Sequence, residues 1–274
     1  MDISKLPAPV FLELDVDVIT AEIIAEYERL SGKPLYPAQA DRLMVDVIAY
    51  REILIRNEIN EAAKQNLLAF ARGVMLDYLG DFFRVIRLDG ETDEQLHRRI
   101  ELAPESYATT GGRQAYIFHA LSTDASIIDC EAVRGGSGKI YLYILTADGA
   151  PSDELIQAVM DNTSGEKKRP LSDTVTVTGG DPLDASLIIE ITPLASANPQ
   201  FVLAAATEKA NSYAERLKKK LGQDIVPSQI INELSGDGVW QVKVLSPAQT
   251  IIVEPWQLAN FTSITITLGD AQDG

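Results

Sequence analysis

The chain has 274 residues, enough for about two domains at roughly 150 residues each. Its composition, 46% hydrophobic and 23% charged, is that of an ordinary globular protein, which excludes collagen, disorder and a disulfide scaffold. The formal charge of −16 opposes binding to nucleic acid or anionic lipid, so neither is expected as a partner. No apolar run approaches the ~20 residues that span a bilayer. The opening MDISKLPAPVFLELDVD has no basic or apolar leader region, so no signal peptide is expected. The single cysteine, Cys130, cannot pair within the chain and fits a reducing compartment.

In chain order, Pro7 and Pro9 predict an extended start, because each fixes its own φ and restrains the preceding residue. A helix is predicted from about Val16 to Leu30, ended by Gly32 and Pro34. Pro37 suits the first turn of a second helix, and no glycine or further proline interrupts the chain to Arg72. Such a helix would be about 54 Å long. Its apolar residues form two stripes. Leu43, Val47, Tyr50 and Leu54 make one, and Met44, Ile48, Ile55, Ile59 and Ala62 make the other. Together they span about half the circumference, wider than a surface helix needs. The helix either packs between two neighbours of its own domain, or packs one stripe internally and offers the other to a partner chain. A short helix, Val74 to Phe83, comes after Gly73.

From about Glu91 the texture becomes mixed. Helices are predicted at Asp93–Leu102 and Arg113–Leu121, the second after the turn Gly111-Gly112. Strands are predicted at 127–133 and 139–146 around the turn 135–138, then a helix capped by Ser152 and a strand at 174–178. Gly179-Gly180-Asp181-Pro182 marks a boundary. Beyond it come a strand at 186–192, a helix from about Gln200 to Leu221 and a helix from Pro227 to Leu234. Strands at 239–245, 250–254 and 263–268 complete the chain. Both mixed units hold a helix followed by strand, turn and strand, which hints at an internal duplication. The expected class is α+β: an N-terminal long-helix bundle region (1–90) followed by two small mixed α/β sandwich domains (91–180 and 181–274).

No catalytic constellation emerges. Gly135-Gly136-Ser137-Gly138-Lys139-Ile140 superficially resembles a phosphate loop. However, Val133 stands where the first glycine is required, Ile140 has no hydroxyl for Mg²⁺, and a strand comes next, so a hairpin is expected. His97 and His119 lie in different predicted helices, no H-x-x-x-H pair occurs and there is one cysteine, so the characteristic ligand spacing of a zinc site is missing. No cofactor and no metal are expected. Lys167-Lys168-Arg169 reads as a solvated loop, and Arg216 with Lys218-Lys219-Lys220 suits the negative end of a helix.

The recognisable part is the second helix and the residues just beyond it. Ile48-Ala49-Tyr50-Arg51-Glu52, Ile59 to Asn66, Ala71-Arg72-Gly73 and Leu76-Asp77-Tyr78-Leu79-Gly80 resemble the N-terminal signature of the baseplate J-like proteins of contractile-tailed phages. Glu91-Thr92-Asp93-Glu94, Arg98-Arg99-Ile100, Pro104 to Tyr107 and Gly111 to Tyr116 extend the resemblance in the expected order. The resemblance implies a non-enzymatic wedge subunit in the baseplate of a contractile phage tail, tailocin or related injection system. Such a subunit would be made in the bacterial host cytoplasm. In that family two J-like copies and one I-like partner join through a helical bundle, and six wedges ring the hub and spike, with sheath-initiator-like proteins nearby. The implied partner interface is Leu43, Val47, Tyr50 and Leu54, with Asn57 and Asn60 at the stripe edges as register-setting amides or as plain surface residues. The alternative is a tail-associated cell-wall-degrading enzyme, which should show a catalytic carboxylate or a zinc constellation. A tail adhesin should show repeats and β-rich composition, which are absent.

Overall fold

A computed structural model describes residues 7, 9–107, 112–147, 149–165, 168–170 and 172–273. Gly111 and Lys167 lie outside them. The fold is α+β, with eight helices and two three-stranded mixed sheets among the described residues. It divides into two compact units, Met1–Ile86 and Arg87–Gly274.

The first unit holds α1 (Val16–Ser31), α2 (Ala40–Lys64) and α3 (Gly73–Phe82). Asp15 caps α1 by accepting from the Asp17 and Val18 amides, and Gly32 ends it in the left-handed conformation that a Cβ disfavours. Arg42–Asp46 and Glu52–Arg56, each four residues apart, support α2 from its surface. The helix stops at Lys64, so it is about 38 Å long and not about 54 Å. Side-chain amides end it. Asn66 Nδ2 donates to the Ala62 carbonyl at 3.1 Å, and Gln65 accepts from the Arg72 amide at 3.0 Å. Asn and Gln thus take backbone groups that a further turn would need, a competition invisible to a count of helix breakers.

The second unit carries α4 (Asp93–Leu102), capped by a reciprocal Thr92–Gln95 box, and a 3₁₀ turn at Ala103–Tyr107. Next come α5 (Arg113–Leu121), β1 (Ile127–Arg134), β2 (Lys139–Thr146), α6 (Asp153–Thr163) and β3 (Thr174–Gly179). The 135–139 segment is the hairpin turn expected, closed by the Gly135 amide on the Lys139 carbonyl at 2.8 Å. In the first sheet, β2 lies between antiparallel β1 and parallel β3. Tyr116, Ala120, Leu142, Ile144 and Val159 fill the core under α5 and α6.

The second sheet is built from β4 (Asp181–Pro193), β5 (Val239–Ser246) and β6 (Gln257–Leu268), with α7 (Pro199–Lys218) and α8 (Pro227–Leu234) over it. Leu187, Ile189 and Ile191 alternate inward along β4 and meet Ala206, Ala210, Tyr213 and Leu217 of α7. Here β4 is central, antiparallel to β5 and parallel to β6. The antiparallel partner therefore precedes the central strand in the first sheet and comes after it in the second. That difference in chain order rules out a simple duplication. The strand predicted at 250–254 is only a bridge between Ile251 and Ile225. Side chains take two more of its amides: Asp224 accepts from Val253 at 2.8 Å and Gln257 from Glu254 at 3.1 Å.

His119 on α5 sits partly buried beside Lys168, and burial together with that ammonium pushes its pKa down to about 4. The unfolded imidazole titrates near 6.5. The folded state therefore resists a proton that the unfolded chain accepts. The resulting stability is complete above about pH 6.5 and is lost as the pH falls toward 4. Screening by solvent reduces it to on the order of 1–2 kcal/mol. Urea midpoints should fall less from pH 7 to pH 5 in His119→Gln than in the unchanged chain; equal falls would show that the imidazole is not responsible.

Candidate functional site: an exposed apolar surface on the N-terminal unit

The inward face of α2 is narrow. Val45 and Ala49 are buried, as is Ile19 of α1, which packs along it. Neither of the two predicted stripes supplies this face; both point outward. Leu43 (69% exposed), Val47 (50%), Tyr50 (62%) and Leu54 (36%) form the first. Met44, Ile48, Ile55 and Ile59 form the second and are exposed as well. Beside them, Ile48 joins Ile23, Tyr27 and three carboxylates, Glu22, Glu26 and Glu52, in an open groove of about 340 Å³. Eight large apolar side chains lie exposed together on one helix, where a monomer ordinarily exposes such residues singly.

The two asparagines separate. Asn57 is exposed. Asn60 is 3% exposed and satisfied inside its own chain. Its Oδ1 accepts from the Phe11 and Leu12 amides at 3.0 and 2.8 Å, and its Nδ2 donates to the Leu12 carbonyl at 2.8 Å. Arg56 reinforces this clasp by donating to the Glu13 carbonyl at 3.4 Å. Asn60 therefore works as a clamp for the N-terminal segment. That segment carries Val10, Phe11 and Leu14 exposed, so the clamp holds further apolar surface at the C-terminal end of α2.

Sequence reasoning missed a third stripe, on α3. On α3, Leu76 and Gly80 are buried, while Val74, Tyr78 and Phe82 are exposed at four-residue spacing. That spacing was legible, but it reads equally well as a core face. Only the burial of Leu76 and Gly80 shows which side points out.

Among the described residues no three His, Cys, Asp or Glu side chains gather as a metal site requires, and no helix is long and apolar enough to cross a membrane. Cys130 is buried, which pushes its thiol well above the ordinary range and keeps it protonated. The first unit thus exposes an apolar area framed by carboxylates.

Comparison with known proteins places this surface in context. The Baseplate J-like N-terminal domain matches residues 42–89, the central domain of that family matches 108–179, and its C-terminal domain matches 185–267. Baseplate protein J of Escherichia phage P2 is 27% identical over 300 residues, covering 100% of this chain and 99% of the phage protein. A chain of the six-fold symmetrised cryo-EM structure of the anti-feeding prophage baseplate aligns at a TM-score of 0.45 and 11% identity. That alignment covers 62% of this chain and 42% of that one. With most of α2 and all of α3 in the N-terminal match, the first sheet in the central match and most of the second sheet in the C-terminal match, the chain belongs to the baseplate J-like protein family, as a structural protein of a contractile-tail baseplate.

Proposed function

We propose that this chain is a wedge subunit whose exposed α2 arc packs into a helical bundle with an I-like partner and a second copy of itself. The role is structural, not enzymatic. Residues 1–90 form the wedge core, and 91–180 and 181–274 reach neighbouring wedges to close a six-fold ring around the hub and spike, beside sheath-initiator-like proteins. Assembly takes place in the host cytoplasm. The observation that carries this reading is the exposure of Leu43, Val47, Tyr50 and Leu54 together on a helix that its own unit covers on one narrow face. Burying such an arc between helices is the energetic basis of a bundle core.

Tyr50→Asp with Leu54→Asp tests it. Both side chains are exposed, so the double variant should fold with a melting temperature within a few degrees of the unchanged chain. Two buried, unpaired carboxylates in a bundle should weaken co-purification with the I-like protein by at least about a hundredfold. Undiminished co-purification of the folded variant would count decisively against the assignment.

A further inference from the structure

Among the described residues, the four edges of the two sheets are not protected equally. β1 carries Asp129, Glu131 and Arg134, and β5 carries Lys243. Charges of this kind blunt an edge against pairing with another chain. β3 is six residues long. β6 is twelve residues long, lies at the edge of its sheet beside β4, and has no charged residue from Pro255 to Gly269. Its first part is engaged: Leu258 bridges Leu221, and Thr262 is an extra residue in the ladder whose Oγ1 donates to the Ala185 carbonyl at 3.3 Å. From Ser263 to Leu268 the ladder with β4 is regular.

We propose that Ser263–Leu268 is a self-pairing edge that joins two copies of this chain, antiparallel, into one continuous six-stranded sheet. This names the contact by which copies meet, and so rests on the reading that the C-terminal part links them. Three features favour a second copy as the occupant. A two-fold axis normal to the sheet keeps both copies facing the same way, so the Ser263, Thr265 and Thr267 rows join, as do the Ile264, Ile266 and Leu268 rows. Ser263, Thr265 and Thr267 are exposed, while Ile264, Ile266 and Leu268 are only half-buried by their own chain, a deficit that continuing the sheet removes. Finally, in a chain of net charge −16, a neutral strand lets two copies meet without placing like charges opposite one another.

The test uses the full chain with Thr265 and Thr267 both changed to Lys, and separately both changed to Glu. Sedimentation in high salt, which screens the overall repulsion, should show the unchanged chain dimerising at about 100 µM. Each variant alone should dimerise at least about tenfold more weakly, because like charges then face each other across the two-fold axis. An equimolar mixture of the two variants should recover the dimer, which a general folding defect in either would not allow. With no I-like protein present to complete the α2 bundle, Tyr50→Asp with Leu54→Asp should leave this self-association unchanged, and the Lys variant should still co-purify with the I-like partner. An unchanged chain that stays monomeric, a dimer indifferent to the charges, or a mixture no better than its components would each overturn the proposal. Loss of dimerisation in the α2 variant with its retention in both edge variants would move the self-contact to α2, overturning the β6 edge while sparing the wedge reading.

Discussion

Glu91→Ala should destabilise the second unit by about 3–5 kcal/mol. Glu91 and Arg99 form a buried pair, with side chains 1% and 6% exposed. Both carboxylate oxygens accept from Arg99 Nη1, at 2.9 and 2.7 Å, and Oε2 also accepts from the Leu88 amide at 2.8 Å. Arg99 Nε donates to Ser122 Oγ at 3.1 Å, which ties α4 to the end of α5. Removing the carboxylate takes away the buried counter-charge of this guanidinium and leaves the Leu88 amide without its acceptor. Both losses fall on the folded state, because the unfolded chain solvates each group. Chemical denaturation of Glu91→Ala and Glu91→Gln separates the two effects. The Gln variant keeps an acceptor and should recover part of the loss; equal midpoints for both variants would show that the charge, not the hydrogen bonding, carries the effect.

Asp129→Ala should cost about 2–4 kcal/mol, and it should loosen the second sheet from the first. The side chain is 6% exposed. Its Oδ1 lies 2.6 Å from Arg98 and accepts from the Cys130 amide at 2.9 Å, while Oδ2 accepts from the Leu221 amide, 92 residues away, at 2.8 Å. One carboxylate on β1 thus holds both α4 and the segment just after α7. Around it Leu145, Leu221 and Leu258 form a small core shared by the two sheets, and a Cβ added at Gly180 would fall 2.6 Å from Leu221 Cδ2. Gly180 alone separates β3 from β4, so the junction has no slack of its own. Hydrogen exchange should therefore speed up first at Leu221 and along the β3–β4 crossing in Asp129→Ala. Uniform loss of protection across the second unit would instead mean that the two sheets unfold only as one. Cutting the chain after Gly180 would uncover Leu145 and Ile128 and take from Asp129 the Leu221 amide that donates to it.

The elements that local chemistry governs were legible. Caps, alternation and turn residues placed α4, α5 and β2 as found, because those signals lie within a few residues of the positions they control. The failures came where a side chain competes for a backbone group. Gln65 and Asn66 shortened α2, and Asp224 and Gln257 took the amides of 253 and 254. None of these residues is a helix or strand breaker by type, so pattern could not reveal them.

The candidate site divides along the same line. An apolar arc too wide for one surface helix is a property of residue spacing, and spacing along a helix is the same wherever the helix lies. The family signature in 41–80 is likewise carried by residue order. Which part of that arc is free depends on the third face of the helix. Val45 and Ala49 are few and small, and nothing in their spacing marks them as the buried side; the approach of α1 made them so. Asn60 is the sharper case. Its spacing fits a stripe edge, where an amide could set bundle register. Its role was decided by a segment 48 residues earlier that brings two amides and a carbonyl to it. A side-chain amide binds whatever backbone reaches it, and only the tertiary path of the chain determines which backbone that is.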